Sequence, residues 1–363
     1  MPRPLLSPID LPEDCRLLVR ATNWLGDAVM SMPAVEALRC AYPRAHLAVL
    51  VRPELAGLYR SPLVTEIIPW TVGPARWHLR SRWRLARRLQ RERFDAAILL
   101  PHAFDAALTA WLARIPIRIG YAVKRRGSLL THAVPLESVP PGACHQSREY
   151  LTLLQAVGLM DSVPAQVHPQ LRIPMCDRDT THRLGPGPWL GVAPGSSNGS
   201  AKRWLPDRFA EAAALAAAPL GSRIVLVGSS HDRAVCAEVS AALAARGVEA
   251  VDCSGTTDVQ ALMPLLASCD ALLANDSGAM HVADALGVPT VTVFGPTCEH
   301  TTGPTGPLAA VVREPVACSP CQLHTCPIDH RCMRGVPAAS VAAELLRVAR
   351  AGRAIRGTKA VLA

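Results

Sequence analysis

Short apolar runs alternate with longer amphipathic stretches along this chain, and the alternation breaks once. RLLVRAT (residues 16–22) reads as a buried strand. Asp27–Ala41 reads as a helix, with Pro33 early enough to be tolerated or to kink it. HLAVLVR (46–52), VTEIIPW (64–70) and FDAAILLP (94–101) read as further strands, with helical stretches between most of them. Such alternation predicts a parallel sheet with helices on both faces. Residues 166–188 are proline-rich and lack sustained helical periodicity, which predicts a linker. The pattern then restarts. WLGVAPG (189–195), RIVLVGS (223–229), VEAVDCSG, DALLAND and PTVTVFGP (289–296) read as strands, with helices from about Pro206, around 231–245 and from Ser277. The prediction is an α/β chain of two doubly wound domains, residues 1–165 and 189–363. They are expected to face a central cleft, with ligands at the carboxyl ends of strands.

The length of 363 residues suits two domains of that kind. A formal net charge of +9 favours an anionic partner: a phosphorylated ligand, an acidic membrane surface or nucleic acid. Aromatic residues make up only 4%, too few to stack single-stranded bases well, so nucleic acid is not the expected partner. MPRPLLSPIDLPEDC has an early arginine, but prolines and acids interrupt the apolar core that an export signal needs. No uninterrupted apolar run reaches the ~18 residues of a membrane span. The expectation is therefore a cytoplasmic protein, peripheral to a membrane if it meets one. Eight of the twelve cysteines are scattered singly, which fits reduced core thiols better than a secreted disulfide framework.

Three stretches carry chemistry. PGSSNGSAKRW (194–204) follows a predicted strand and precedes a helix. Gly195 and Gly199 let the backbone turn and approach a ligand, and exposed amides there form an anion-binding concavity. Ser196 and Ser197 add hydroxyl donors, and Lys202 adds a compact charge suited to a phosphate oxygen. The plain alternative is a solvated Gly/Ser loop before a basic helix start. The GxxxxGK[ST] spacing of a Walker loop is absent. In LLANDSGAMHVADALG (272–287), Asp276 and Ser277 are good N-cap types, and Gly278 permits close approach to the first helical amides. His281 falls in the first turn; ordinary capping with a core histidine is the alternative. In RATNWLGDAVMSMPA (20–34), Gly26 permits a tight turn and Asp27 stands at a helix start. A carboxylate there can take a proton from a substrate hydroxyl, or simply cap the helix.

Taken together, NWLGDAVMSMPA, PGSSNGSAKRWLP, NDSGAMHVADALGVPTVTVFGPT and the following TGP resemble the bacterial ADP-heptose:lipopolysaccharide heptosyltransferases of glycosyltransferase family 9, the second type above all. The resemblance runs from about residue 16 to 345. It implies a GT-B fold and inverting transfer of L-glycero-D-manno-heptose from ADP-heptose to the lipopolysaccharide inner core, at the cytoplasmic face of the inner membrane. It implies Asp27 as the base on the acceptor hydroxyl. Ser196, Ser197 and Lys202 would hold the donor diphosphate, with Ser277, Gly278 and His281 at the phosphate-facing helix start. Asp276 would bind heptose hydroxyls. No cofactor is expected for catalysis, because no DxD-like carboxylate pair is evident in the donor half. The other readings are a nucleotide-sugar epimerase or hydrolase that turns over the donor alone, and a non-catalytic nucleotide-sugar-binding or metal-binding scaffold.

Two basic segments lie in the first half. RWHLRSRWRLARRLQRERF (76–94) holds eight arginines interleaved with tryptophan and leucine. As a helix it either lies on an anionic membrane or glycolipid surface, or packs its Leu/Trp side inward and leaves its arginines solvated. In YAVKRRGSLLTH (121–132), Lys124, Arg125 and Arg126 are candidates to pair with acidic groups of the acceptor. The last four cysteines, Cys318, Cys321, Cys326 and Cys332, cluster in CSPCQLHTCPIDHRCM. The segment has metal-ligand character, and a structural zinc site, reduced thiols ordering a loop, or disulfides are the open readings.

Overall fold

The computed structural model describes residues 8–71, 78–136, 144–173, 184–185, 187–197 and 199–361. The chain divides into two units, Met1–Pro169 and Gln170–Ala363. The division falls within the expected linker, but the second unit starts earlier than expected. The Leu171 amide donates to the Ala285 carbonyl at 2.9 Å and ties this stretch to the second unit.

The first unit runs β1 (Arg16–Arg20), α1 (Leu25–Met30), α2 (Met32–Ala41), β2 (His46–Val51), β3 (Glu66–Pro69), α3 (His78–Arg91), β4 (Ala96–Leu99), α4 (Phe104–Leu112), β5 (Ile117–Tyr121), β6 (His132–Val134) and α5 (Gln146–Ala156). Its strands form one sheet in the order β3-β2-β1-β4-β5-β6, and every pairing is parallel. Apolar runs such as Leu17–Val19 and Ala96–Leu99 are buried throughout, as strands covered on both faces require. Leu18, Leu50, Ile68, Leu85, Leu89 and Phe94 share one of its cores.

The expected helix over Asp27–Ala41 is two helices broken at Ser31. Pro33 lies in the first turn of α2, where its missing N–H is harmless. Had the helix run on, the proline ring would have met the carbonyl four residues back. Ser31 closes the break by donating its amide to Asp27 O at 3.0 Å and its hydroxyl to Ala28 O at 2.8 Å. Gly26 sits inside α1 and not in a tight turn, a correction to the expectation.

The second unit runs β7 (Trp189–Ala193), α6 (Pro206–Leu220), β8 (Arg223–Leu226), α7 (Arg233–Ala244), β9 (Ala250–Asp252), α8 (Val259–Ala267), β10 (Ala271–Asn275), α9 (Gly278–Ala285), β11 (Thr290–Phe294), α10 (Glu299–Thr302), β12 (Ala309–Arg313), α11 (Arg331–Arg334) and α12 (Ala338–Val361). Its sheet, in the order β12-β11-β10-β7-β8-β9, is also parallel throughout. The small buried face of α6 (Ala212, Ala213, Ala216, Ala217) lets α12 pack closely through Val341, Leu345 and Val348. Trp204 and Phe209 fill the same core edge to face, 5.1 Å between ring centroids.

Numbered within its own unit, each sheet has the order 3-2-1-4-5-6, the doubly wound arrangement whose switch point lies between strands 1 and 4. Those switch points fall between β1 and β4 and between β7 and β10. Among the described residues, no helix is long and apolar enough to cross a membrane.

Candidate functional site

Parallel pairing places Ala193 on β7 beside Ala274 on β10, so the two strands release their loops side by side. Asn275 locks them together. Its Nδ2 donates to Pro194 O at 2.7 Å, and its Oδ1 accepts the Trp204 amide at 3.0 Å. Both ends of the 194–204 loop are thus pinned by one buried side chain from the other strand.

Within this frame Lys202 meets Asp276. Lys202 Nζ lies 2.6 Å from Asp276 Oδ2, and both side chains are largely buried. Thr297 Oγ1 donates to the same carboxylate oxygen at 2.7 Å. A buried lysine kept beside a carboxylate avoids the large penalty of an isolated charge. The pair joins the two residues expected at opposite ends of a sugar diphosphate, one for phosphate and one for sugar hydroxyls.

Two hydroxyls beside the pair lack partners. Ser196 is buried and Ser196 Oγ bonds to nothing. Ser277 is the N-cap of α9, yet its hydroxyl makes no capping bond and is also unpartnered. Buried donors are rarely left unmade in a folded protein, so these two hydroxyls stand out as groups with a bond still to make. The first amides of α9 have no partner within the helix, and Gly278 begins it without a side chain. Ser197 is exposed at the loop tip. His281 is buried one turn into α9, with its amide donating to Ser277 O at 3.4 Å. Arg203 Nη2 donates to Ser196 O at 3.4 Å, and the buried Arg203 Nε has no partner.

Sequence reasoning missed the structures that brace this loop. Asp232 lies under it. A Cβ at Gly195 would come 2.2 Å from Asp232 Cγ, and one at Gly228 would come 2.8 Å from Asp232 Cβ. The Asp232 carboxylate is itself fixed by the Ser229 amide at 2.9 Å and the Ser229 hydroxyl at 2.7 Å. From the other side comes the cysteine-rich segment. His324 O accepts the Ala201 amide at 3.0 Å, and His330 Nε2 bonds Ala201 O at 2.6 Å. Gly199, at φ 94°, passes so close to His324 that a Cβ would lie 2.2 Å from its carbonyl oxygen. Nothing in the spacing of the cysteines signalled that their segment seats the loop of residues 199–202.

Among the described residues, no group of three or more His, Cys, Asp or Glu is arranged to hold a metal ion. Cys318 and Cys321 are exposed, Cys326 Sγ accepts the His330 amide at 3.3 Å, and Cys332 is buried. Burial pushes the Cys332 thiol up, and the neighbouring Cys318, Cys326 and Cys321 add to the shift.

In the first unit, Asp27 stands half-buried in the first turn of α1, where a negative charge is favoured. Tyr150 of α5 is close by: burial first, then the Asp27 charge, hold its phenol well above its ordinary range. Lys124 and Arg125 form an exposed turn with φ of 51° and 60°. Arg126 corrects the expectation. It is fully buried, and its guanidinium donates to the carbonyls of Tyr121 (2.8 Å), Pro101 and Ala103 (3.3 Å). It ties β5 to the loop after β4 and presents no charge to an acceptor. Burial lowers its pKa to about 10. Helix α3 buries Leu85, Ala86 and Leu89 and exposes Arg80, Arg84, Arg87, Arg88 and Arg91. Residues Arg76 and Trp77 lie outside the described residues.

Residues 82–331 match glycosyltransferase family 9 (heptosyltransferase). The chain is 32% identical over 313 residues to lipopolysaccharide heptosyltransferase 2 of Salmonella typhimurium, covering 82% of this chain and 88% of that protein. It is 32% identical over 311 residues to the Escherichia coli protein of the same name, with the same coverage. The solved structure of E. coli ADP-heptose LPS heptosyltransferase II matches with a TM-score of 0.78 at 28% identity, over 93% of this chain and 99% of that one.

Proposed function

Because the chain belongs to glycosyltransferase family 9, we propose that it moves heptose from ADP-heptose to the inner core of lipopolysaccharide with inversion at the anomeric carbon. The observation that carries this is the Lys202–Asp276 pair at the switch point of the second unit, flanked by the unpartnered hydroxyls of Ser196 and Ser277. An acceptor hydroxyl oxygen attacks the anomeric carbon, the bond from that carbon to the β-phosphate oxygen breaks, and ADP leaves with the electron pair. Asp27 takes the hydroxyl proton. Lys202, the serine hydroxyls and the first amides of α9 meet the charge that develops on the diphosphate. Fixed donors of this kind stabilise a transition state without reorganising. Asp276 orients heptose hydroxyls beside its lysine.

The acceptor side carries the exposed Lys124 and Arg125 for its anionic groups. Attachment at the cytoplasmic face of the inner membrane is part of the proposal. It is supported by the net charge of +9 and by the exposed arginines of α3, with Trp83 exposed beside Arg87.

Incubation with ADP-heptose and a defined inner-core acceptor, read by mass spectrometry, tests the reading. The product gains one heptose, and ADP appears only when acceptor is present. Consumption of ADP-heptose at the same rate without acceptor points to hydrolysis or epimerisation and overturns it. Asp27→Asn lowers kcat by about 10²-fold or more, as loss of a general base does. Lys202→Ala lowers turnover by roughly 10²- to 10³-fold. Rates within a few fold of wild type remove those roles.

A further inference from the structure

The switch point of the first unit, between β1 and β4, opens onto a cavity. It has a volume of about 360 Å³, and Arg20, Asn23, Arg52, Glu54, Trp70 and Asp105 are among the residues that line it. That volume is at the lower end of ordinary ligand pockets and takes one sugar residue with its substituent. Strand β1 ends in Arg20, which is only 4% exposed, an expensive place for a cation.

The partners of Arg20 are neutral. It donates to Ala21 O and, at 2.8 Å, to Asn23 Oδ1, and its guanidinium lies 4.9 Å from the centre of the Trp70 ring. Each carboxylate lining the cavity already has its own arginine: Glu54 pairs with Arg52 at 3.4 Å, and Asp105 pairs with Arg82. Among the described residues, none makes an ion pair with Arg20. Trp70 is 9% exposed and its indole N–H is buried without a partner. The cavity is thus lined by a buried cation that has no ion pair, with the nearby Asp105 charge the main offset to its burial, and by a tryptophan with one unmade buried donor. Both call for an acceptor of hydrogen bonds that bears negative charge.

We propose that this cavity is the subsite for an anionic substituent, a carboxylate or a phosphate, on the acceptor saccharide, held by Arg20 and the Trp70 indole N–H with Arg52 at the mouth. The inference rests on the heptosyltransferase reading and goes beyond it by assigning acceptor recognition to these residues. Asp27 lies on α1, which follows β1 after a short loop, so the strand that carries the anchor leads directly into the helix that carries the proposed base. Of the three cations foreseen at Lys124, Arg125 and Arg126, the last is buried elsewhere; this role adds to the other two a buried arginine that no basic cluster in the sequence advertised.

Steady-state kinetics with the full chain and three acceptors test it: the intact inner-core saccharide, one with its carboxylates converted to amides, and one with its phosphates removed. Arg20→Met raises the acceptor KM by about 10- to 100-fold, the range for a lost hydrogen bond to a charged group, while the KM for ADP-heptose is unchanged. Trp70→Phe keeps the ring, removes only the N–H, and raises the acceptor KM by a few fold. Wild type suffers the same loss as Arg20→Met when the relevant group is neutralised. Whichever modified acceptor shows that loss identifies the group, and Arg20→Met is indifferent to that modification. The inference is overturned if wild type transfers heptose equally well to all three acceptors, or if both variants keep the wild-type acceptor KM. The acceptor arm uses unmodified protein, so it stands even if a variant folds poorly. Failure of wild type to transfer heptose to any acceptor would instead overturn the underlying function, and this assignment with it.

Discussion

Gly195 has room for a hydrogen and nothing larger, because the Asp232 carboxylate occupies the place of a side chain and is held there by two bonds from Ser229. A methyl group at this position must push either the anchored aspartate or the loop that carries Ser196. Gly195→Ala therefore costs about 1–3 kcal/mol in overpacking, lowers Tm, and raises the KM for ADP-heptose more than that for the acceptor. Unchanged melting and unchanged KM would show that the loop tolerates the shift. The glycine, the serines and Lys202 suggested a phosphate loop from residue type and order alone. Asp232 was not, since it lies some forty residues away and only β7–β8 pairing brings it under the loop. Arg126 shows the reverse failure: beside Lys124 and Arg125 it reads as one more surface cation, and only the fold buries it.

At the scale of elements, the cysteine-rich segment acts as a buttress. Ala201 gives both its backbone groups to it, the amide to His324 O and the carbonyl to His330 Nε2. A carbonyl only accepts, so the His330 ring carries its proton on Nε2 in this contact. His330→Ala frees that carbonyl and loosens the turn before Lys202. The expected result is a rise of roughly fivefold in the KM for ADP-heptose, the worth of about one hydrogen bond, with the acceptor KM unaffected. His330→Gln, whose amide can donate, recovers part of the loss. A variant with wild-type donor KM would leave the segment without this role. Short edge strands belong to the same scale. β6 and β12 were not foreseen, because neither carries the long, fully buried apolar run of a central strand.

Across the whole molecule, both units bury groups that must stay protonated. Burial pushes the Cys236 and Cys269 thiols of the second unit, and the Tyr59 phenol of the first, up to about 12. Each folded-state value lies above the ordinary one. Their contribution to stability is therefore complete below about pH 9 and is lost as pH rises from there towards 12. Tm should fall steadily over that window, and Cys269→Ala should flatten the fall while lowering Tm at neutral pH. A melting temperature level from pH 9 to 11 contradicts the assignment of these thiols and the phenol as protonated core groups.

Alternating apolar runs, set by what a strand covered on both faces must bury, were enough to establish two parallel α/β units. Residue order likewise singled out the loop of residues 194–204 as a candidate for donor binding, because Gly, Ser and Lys carry their own short-range chemistry. Tertiary structure alone decided which distant groups meet: Lys202 with Asp276, Gly195 over Asp232, His330 on Ala201, and Arg20 beside the Trp70 indole. These contacts depend on strand order and burial. Both are properties of the packed sheet, and no local stretch of sequence contains them.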